Sequence, residues 1–183
     1  GGNAATIIER DVDLTDAVIN RLAVGSFAYS GQVCISVQRI YVHESIYEAF
    51  KTKFVARTKQ LVSGDPLAAE TEIGPMITEA AAERVAAWVD EAVKQGATLL
   101  CGGKHCENFV EPAVLENVTD SMRIMCDEVF GPVVNLVPFS DYEAALDAAD
   151  GSVFGLQAGV YTNDLNKMMQ AVNTLDVGGV MIN

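Results

Sequence analysis

The sequence predicts an α/β layered fold with a largely parallel sheet. Short β-branched runs alternate with helical segments of ten or more residues, and glycine and proline punctuate the connections between them. A chain of 183 residues is also long enough to bury one core unaided. With half the residues hydrophobic and a fifth charged, the composition is that of an ordinary globular protein.

The first helix is expected from Thr15 to Tyr29, running toward Gly31. Asp11, Asp13 and Asp16 supply an acidic start that suits the positive end of a helix dipole, and Val18, Leu22 and Phe27 follow among small residues. Beyond Cys34 the run Val37 to Val42 is short, β-branched and unbroken, which predicts a buried strand. Ser45 is placed to cap a second helix, with Glu48 returning the bond and Ile46, Phe50, Phe54 and Leu61 recurring at helical spacing. His43, just before it, reads as a surface histidine.

Gly64, Asp65, Pro66, Gly74 and Pro75 mark a long irregular connection. Thr78 then opens a helix with Ala81, Val85, Trp88, Ala92 and Val93 facing inward, stopped at Gly96. β-like runs follow at Ala97 to Cys101, Val110 to Leu115 and Val133 to Phe139. Ser140 and Glu143 form another capping pattern before a helix containing Ala144, Leu146 and Ala149. A strand near Leu156 to Tyr161, a helix and a strand at Val180 to Ile182 complete the alternation. In that last helix Leu165, Met168, Met169, Val172 and Leu175 read as core packing. Gly179 to Asn183 stops inside a strand pattern and Gly1 to Ala5 begins abruptly, so both ends are expected to be cut from a longer chain.

The formal net charge of −13, from 25 acidic against 12 basic residues, repels phosphate backbones and anionic lipid heads, which argues against nucleic-acid binding. No apolar run approaches a membrane span and no signal-peptide pattern opens the sequence. Cys34, Cys101, Cys106 and Cys126 form no CxxC pair, which points to a reducing cytoplasm. In Cys101-Gly102-Gly103-Lys104-His105-Cys106 the glycine pair reads as a turn between strands, and no metal site is expected because a second ligand cluster is lacking.

Cys34 closes the segment Phe27-Ala28-Tyr29-Ser30-Gly31-Gln32-Val33-Cys34, where a helix ends in a small, glycine-containing turn. A thiolate there could add to a carbonyl while nearby backbone N–H groups hold the resulting oxyanion. By spacing alone, an inert structural thiol is the commoner reading. Asp127 and Glu128, taken alone, read as a solvated acidic turn.

Gly31-Gln32-Val33-Cys34, with Arg39 five residues after the cysteine, resembles the active-site signature of the aldehyde dehydrogenase superfamily. The resemblance continues in order through Gly64-Asp65-Pro66, Gly74-Pro75, Pro112, Glu128-Val129-Phe130-Gly131-Pro132-Val133, Gly155-Leu156 and Gly178 to Asn183, covering nearly the whole chain. It implies the three-layer catalytic domain of that family over residues 1–183, truncated at both ends, with the cofactor domain absent. Cys34 then matches the nucleophile that forms a thiohemiacetal and, after hydride transfer, a thioester. Glu128 matches the glutamate that binds the nicotinamide ribose hydroxyls, and Phe130 the aromatic beside that part of the cofactor. Asn183 matches the asparagine ending a strand near the active site, or it simply satisfies a strand end. Gly1-Gly2 resemble the tail of a Glu-Leu-Gly-Gly element whose glutamate, the general base, would precede residue 1.

The cofactor so implied is NAD or NADP, the substrate a small aldehyde, the parent enzyme a cytoplasmic homo-oligomer, and the isolated chain inactive as a dehydrogenase. Gly31 to Ser36 is more similar to lactaldehyde or phosphorylated-semialdehyde branches than to retinal or betaine aldehyde branches. A coenzyme-A-acylating variant, a non-redox thiol enzyme and a catalytically silent folding unit stay open as alternatives. Cys34 is expected at the sheet's open edge.

Overall fold

A short apolar run that strand patterning alone does not single out, Ala4–Ile8, forms β1 near the centre of the molecule, buried along its whole length. The computed structural model describes residues 1–183. The other principal strands are β2 (Val37–His43), β3 (Thr98–Cys101), β6 (Ala113–Glu116), β7 (Val133–Phe139), β8 (Gln157–Tyr161) and β9 (Gly179–Ile182). They build one seven-stranded sheet in the order β3-β6-β7-β2-β1-β8-β9. Every pairing is parallel except β3 with β6, which is antiparallel at one edge. β4 (His105–Cys106) and β5 (Phe109–Val110) make a separate small hairpin, so the expected strand from Val110 to Leu115 is interrupted at Glu111-Pro112.

Helices cover both faces, as expected of a parallel sheet. α1 (Asp16–Phe27) and α2 (Glu44–Lys59) bury Leu22, Phe27, Phe50 and Phe54 against Ile8, Ile40, Val42, Val134 and Leu136. The rings of Phe27 and Phe54 lie 6.1 Å apart and those of Phe50 and Phe54 5.4 Å apart. Each fully buried phenylalanine contributes about 1.5–3 kcal/mol of hydrophobic free energy. Strand alternation turns Val133, Ala113 and Leu115 to the opposite face, where α3 (Glu79–Lys94) and α4 (Arg123–Cys126) pack. α5 (Tyr142–Asp150) and α6 (Leu165–Thr174) cover Ala5, Ile7, Tyr41, Ala158 and Val160 on that same side.

The structure corrects several local expectations. Ser45 does not cap α2; His43 does, accepting from the Ser45 N–H, and it is buried edge-on against Phe139 instead of lying on the surface. Asp141, not Ser140, caps α5 by accepting from the Ala144 N–H. Both are cases of neighbouring acceptors competing for one helix end, and the acceptor immediately before the first helical residue wins. Val93 is exposed, and so is the stripe Leu165, Met169 and Val172 on α6, because Ala171 is the residue that helix buries. Thr15 and Thr78 cap α1 and α3, and Gly96 follows α3 at φ +111°, a backbone conformation that glycine tolerates best. No helix is long and apolar enough to cross a membrane.

Candidate active site

The sequence-predicted site residues gather at the amino ends of the central strands. Cys34 sits in a tight turn three residues before β2, the middle strand of the sheet, and not at a sheet edge. That turn is over-determined. Tyr29, Ser30 and Gly31 take left-handed φ values of 54°, 57° and 69°, and Ser30 is pinned by donating from Oγ to the Gly74 carbonyl at 2.6 Å. Such a run is costly for non-glycine residues and persists only where its surroundings hold it.

Gly31 lies so close to Gly131 that a Cβ would stand 2.0 Å from the Gly131 carbonyl oxygen, so no larger residue fits. Gln32 accepts from the Ile77 N–H at 2.9 Å. The Ser36 N–H closes the turn on the Val33 carbonyl, and Ser36 Oγ donates to the Ser26 carbonyl. The outcome is an exposed thiol whose own main-chain N–H donates to no group of the chain. A fixed, unpaired donor beside a nucleophile is what an oxyanion requires.

Gly2 bridges the thiol loop and Glu128. Its N–H donates to Glu128 Oε1 at 2.7 Å, and a Cβ on Gly2 would meet the Cys34 carbonyl oxygen at 1.9 Å. The Cys34 main chain and the Glu128 carboxylate, 94 positions apart in the chain, therefore both abut Gly2. Phe130, on the same loop as Glu128, has a left-handed φ of 48° and presents an exposed ring. Asn183 follows β9 at its carboxyl end and lines the same groove as Val33 and Ile35, the residues that flank Cys34. Its side chain accepts from the Thr162 N–H and donates to the Thr162 carbonyl, both at 3.0 Å, so it ties off a strand end.

Sequence reasoning missed the residues that hold Glu128 in place. Gln38 on β2 donates to the Ile124 and Asp127 carbonyls at 2.9 and 2.8 Å and accepts from the Val129 N–H at 3.0 Å. Asn135 on β7 donates to the Ile124 carbonyl at 2.8 Å, and Asn3 donates to the Met125 carbonyl at 2.6 Å. Arg39, buried beneath them, donates to Asn3 Oδ1 and the Asn3 carbonyl and to the Ala148 and Ala149 carbonyls in the last turn of α5. A cation at that negative helix end is favourable. The available signal was the polar amides standing inside apolar strands, since a buried amide must find partners. Arg84 donates to the Val129 carbonyl at 2.7 Å and lies over the Trp88 ring. Burial lowers its pKa and the nearby Glu128 carboxylate opposes that shift.

The remaining thiols differ in setting. Burial pushes the Cys101 thiol up, while Cys106 and Cys126 are exposed. No three His, Cys, Asp or Glu side chains group as metal ligands.

Beside Cys34 a groove of about 310 Å³ runs between α1 and the β1-β8-β9 part of the sheet. Val33 and Ile35, which flank the thiol, line one part of it, and Thr6, Gly159, Met181 and Arg21 line others.

A family model described as the aldehyde dehydrogenase family matches residues 1–183. The 3-sulfolactaldehyde dehydrogenase of Priestia aryabhattai is 45% identical over 183 residues, spanning 100% of this chain and 38% of that protein. Aldehyde dehydrogenase 21 from Physcomitrella patens, solved with the reaction product succinate, superposes with a TM-score of 0.98 at 44% identity over 100% of this chain and 38% of its own. Betaine aldehyde dehydrogenase from Staphylococcus aureus, solved with NAD+, gives a TM-score of 0.95 at 34% identity over 100% of this chain and 37% of its own. The chain thus spans well under half the length of these proteins.

Proposed function

The chain belongs to the aldehyde dehydrogenase family, and on that premise we propose that it is the cysteine-bearing catalytic part of an enzyme that oxidises a small aldehyde to a carboxylic acid with NAD or NADP. The observation that carries this reading is the Gly2 bridge, which sets the Cys34 loop against the Glu128 carboxylate.

Cys34 Sγ, as thiolate, adds to the aldehyde carbon. A C–S bond forms, the carbonyl π pair moves to oxygen, and the unpaired main-chain N–H of Cys34 is the donor for that charge. Loss of hydride from that carbon would leave a thioester on Cys34, the hydride acceptor being what a nicotinamide dinucleotide held by Glu128 and Phe130 would supply. Water then cleaves the C–S bond, releasing the acid and restoring the thiol.

The residues present suit the nicotinamide ribose. With Oε1 engaged by the Gly2 N–H, Glu128 keeps Oε2 as an acceptor for hydroxyl groups, and a carboxylate has lone pairs for several such bonds. The exposed Phe130 ring offers an apolar face beside it. Glu128 therefore holds and orients, while Cys34 reacts. The four free cysteines fit a reducing cytoplasm, and the exposed stripe Leu165, Met169 and Val172 supports self-association into a homo-oligomer.

Glu128→Gln in the full-length protein that carries this chain tests the assignment. It is expected to raise KM for the nicotinamide cofactor and slow hydride transfer, while Cys34 alkylates at its original rate. Unchanged cofactor kinetics would refute the role given to Glu128.

A further inference from the structure

Arg39 is 5% exposed and meets no carboxylate within ion-pair distance, which is costly for a cation unless every donor finds a partner. All five of its N–H groups do. Nε donates to Asn3 Oδ1 at 3.0 Å, and one terminal nitrogen donates to the Asn3 carbonyl at 2.9 Å and the Ala149 carbonyl at 3.0 Å. The other terminal nitrogen donates to the Tyr41 hydroxyl at 3.3 Å and the Ala148 carbonyl at 3.0 Å. The end of α5 leaves both alanine carbonyls without main-chain donors, so the guanidinium closes that helix as it holds Asn3. Main-chain pairing gives Asn3 no such hold: β1 begins at Ala4, and its register against β2 shifts between Ala4 and Ala5. Just before Asn3, Gly1 and Gly2 thread between the two site residues. A Cβ on Gly1 would stand 2.3 Å from Glu128 Oε2, and one on Gly2 1.9 Å from the Cys34 carbonyl oxygen. With no slack on either side, the placement of Asn3 decides where Gly2 presents its N–H to Glu128 Oε1.

We infer that Arg39 is a positioning residue for this site: by gripping both oxygens of Asn3 it fixes the Gly1-Gly2 segment between the Cys34 turn and the Glu128 carboxylate, and so aims Glu128 at the cofactor. The inference rests on the cofactor-holding role proposed for Glu128. Asn3 is the intermediary. It is 3% exposed, and its amide also donates to the Met125 carbonyl at 2.6 Å, on the segment that leads into Glu128. A lysine does not replace the arginine, because a compact ammonium cannot span Asn3, Tyr41 and the end of α5 as the planar fork does. A cavity of about 420 Å³, lined by Arg39, Met125, Cys126 and Asp147 among others, opens beside the guanidinium, and Cys126 is exposed. A small cation therefore has a way in once the side chain is cut back.

The test compares wild type, Arg39→Ala, Arg39→Lys and Asn3→Ala in the full-length protein, with NAD+ and NADP+ binding measured by calorimetry beside turnover. Arg39→Ala should weaken cofactor binding and raise its KM on the order of 10-fold, the factor of one lost hydrogen bond at Glu128, while kcat at saturating cofactor changes less. Millimolar guanidinium should recover most of that loss in Arg39→Ala and leave wild type unaffected, whereas Arg39→Lys stays impaired. Asn3→Ala should match Arg39→Ala, and the double variant should be no worse than either, since both remove one hold. Hydrogen exchange of the peptide carrying Gly2 should quicken in each variant, a readout that needs no cofactor. If Arg39→Ala does not fold, Asn3→Ala and Arg39→Lys decide. If Glu128→Gln binds cofactor like wild type, the role of Glu128 fails and the exchange still decides the role of Arg39. Variants that lose melting temperature yet keep wild-type cofactor affinity and wild-type exchange at Gly2, or losses that add in the double variant, would overturn the inference.

Discussion

Replacing Gln38 by methionine keeps the volume of the side chain and removes its hydrogen bonding. Gln38 is 5% exposed and serves three main-chain groups of the segment that carries Glu128. After Gln38→Met the Ile124 carbonyl keeps the Asn135 amide at 2.8 Å, and the Asp127 carbonyl keeps only a long contact of 3.4 Å from Asn3. The Val129 N–H, buried, keeps nothing. One orphaned buried donor costs about 1–3 kcal/mol, and the two other lost bonds add about 0.5–1.5 kcal/mol each, so a destabilisation of about 2–6 kcal/mol is expected.

The loss should be local as well as global, because the bonds converge on one loop. Hydrogen–deuterium exchange of the full-length protein should speed up across residues 124–131 in Gln38→Met, and KM for the nicotinamide cofactor should rise as Glu128 loses its support. Alkylation of Cys34 should stay near wild type. If denaturation of Gln38→Met matched wild type within about 0.5 kcal/mol, the usual spread of a surface substitution, and exchange were unchanged, the supporting role of Gln38 would be refuted.

Gly31→Ala places a Cβ against the Gly131 carbonyl at a left-handed φ of 69°, and should destabilise by more than about 2 kcal/mol and slow Cys34 alkylation; an unchanged melting temperature would contradict the packing. With limiting iodoacetamide near pH 8, peptide mapping should show Cys34 labelled first of the four thiols. Burial raises the Cys101 pKa, so its thiolate fraction grows only at higher pH and its labelling should catch up as the solution is made alkaline; early labelling of Cys101 would count against this. Arg57 holds the Glu72 carboxyl below its usual value of 4.5. A depressed folded pKa gives stability that is present above the unfolded value and lost as pH falls through the folded one. Arg57→Met should therefore narrow its stability gap to wild type as pH drops below about 4.5, and a gap independent of pH would refute the pairing.

The β-branched run of β2 and the amphipathic pattern of α3 were legible in the sequence because burial there follows periodicity. β1 was not: Ala4-Ala5-Thr6-Ile7-Ile8 is buried on both faces, so it shows no alternation, and its alanines carry little strand preference. α6 was legible as a helix but its buried side was misread, since the bulky Leu165, Met169 and Val172 face outward while Ala171 packs inward. Cys34, Glu128 and Phe130 were legible through their ordered resemblance to a family. The structure adds that Cys34 and Glu128 meet through Gly2. The supporting amides of Asn3, Gln38 and Asn135 were out of reach because their partners are main-chain groups brought close only by the fold.

Aldehyde-dependent reduction of NAD or NADP by the full-length protein, measured for wild type and Cys34→Ala side by side, tests the central claim most directly. Wild type should reduce the cofactor only when aldehyde is present, and Cys34→Ala should fold, bind the cofactor and show no turnover. A Cys34→Ala protein that kept wild-type turnover would contradict the account.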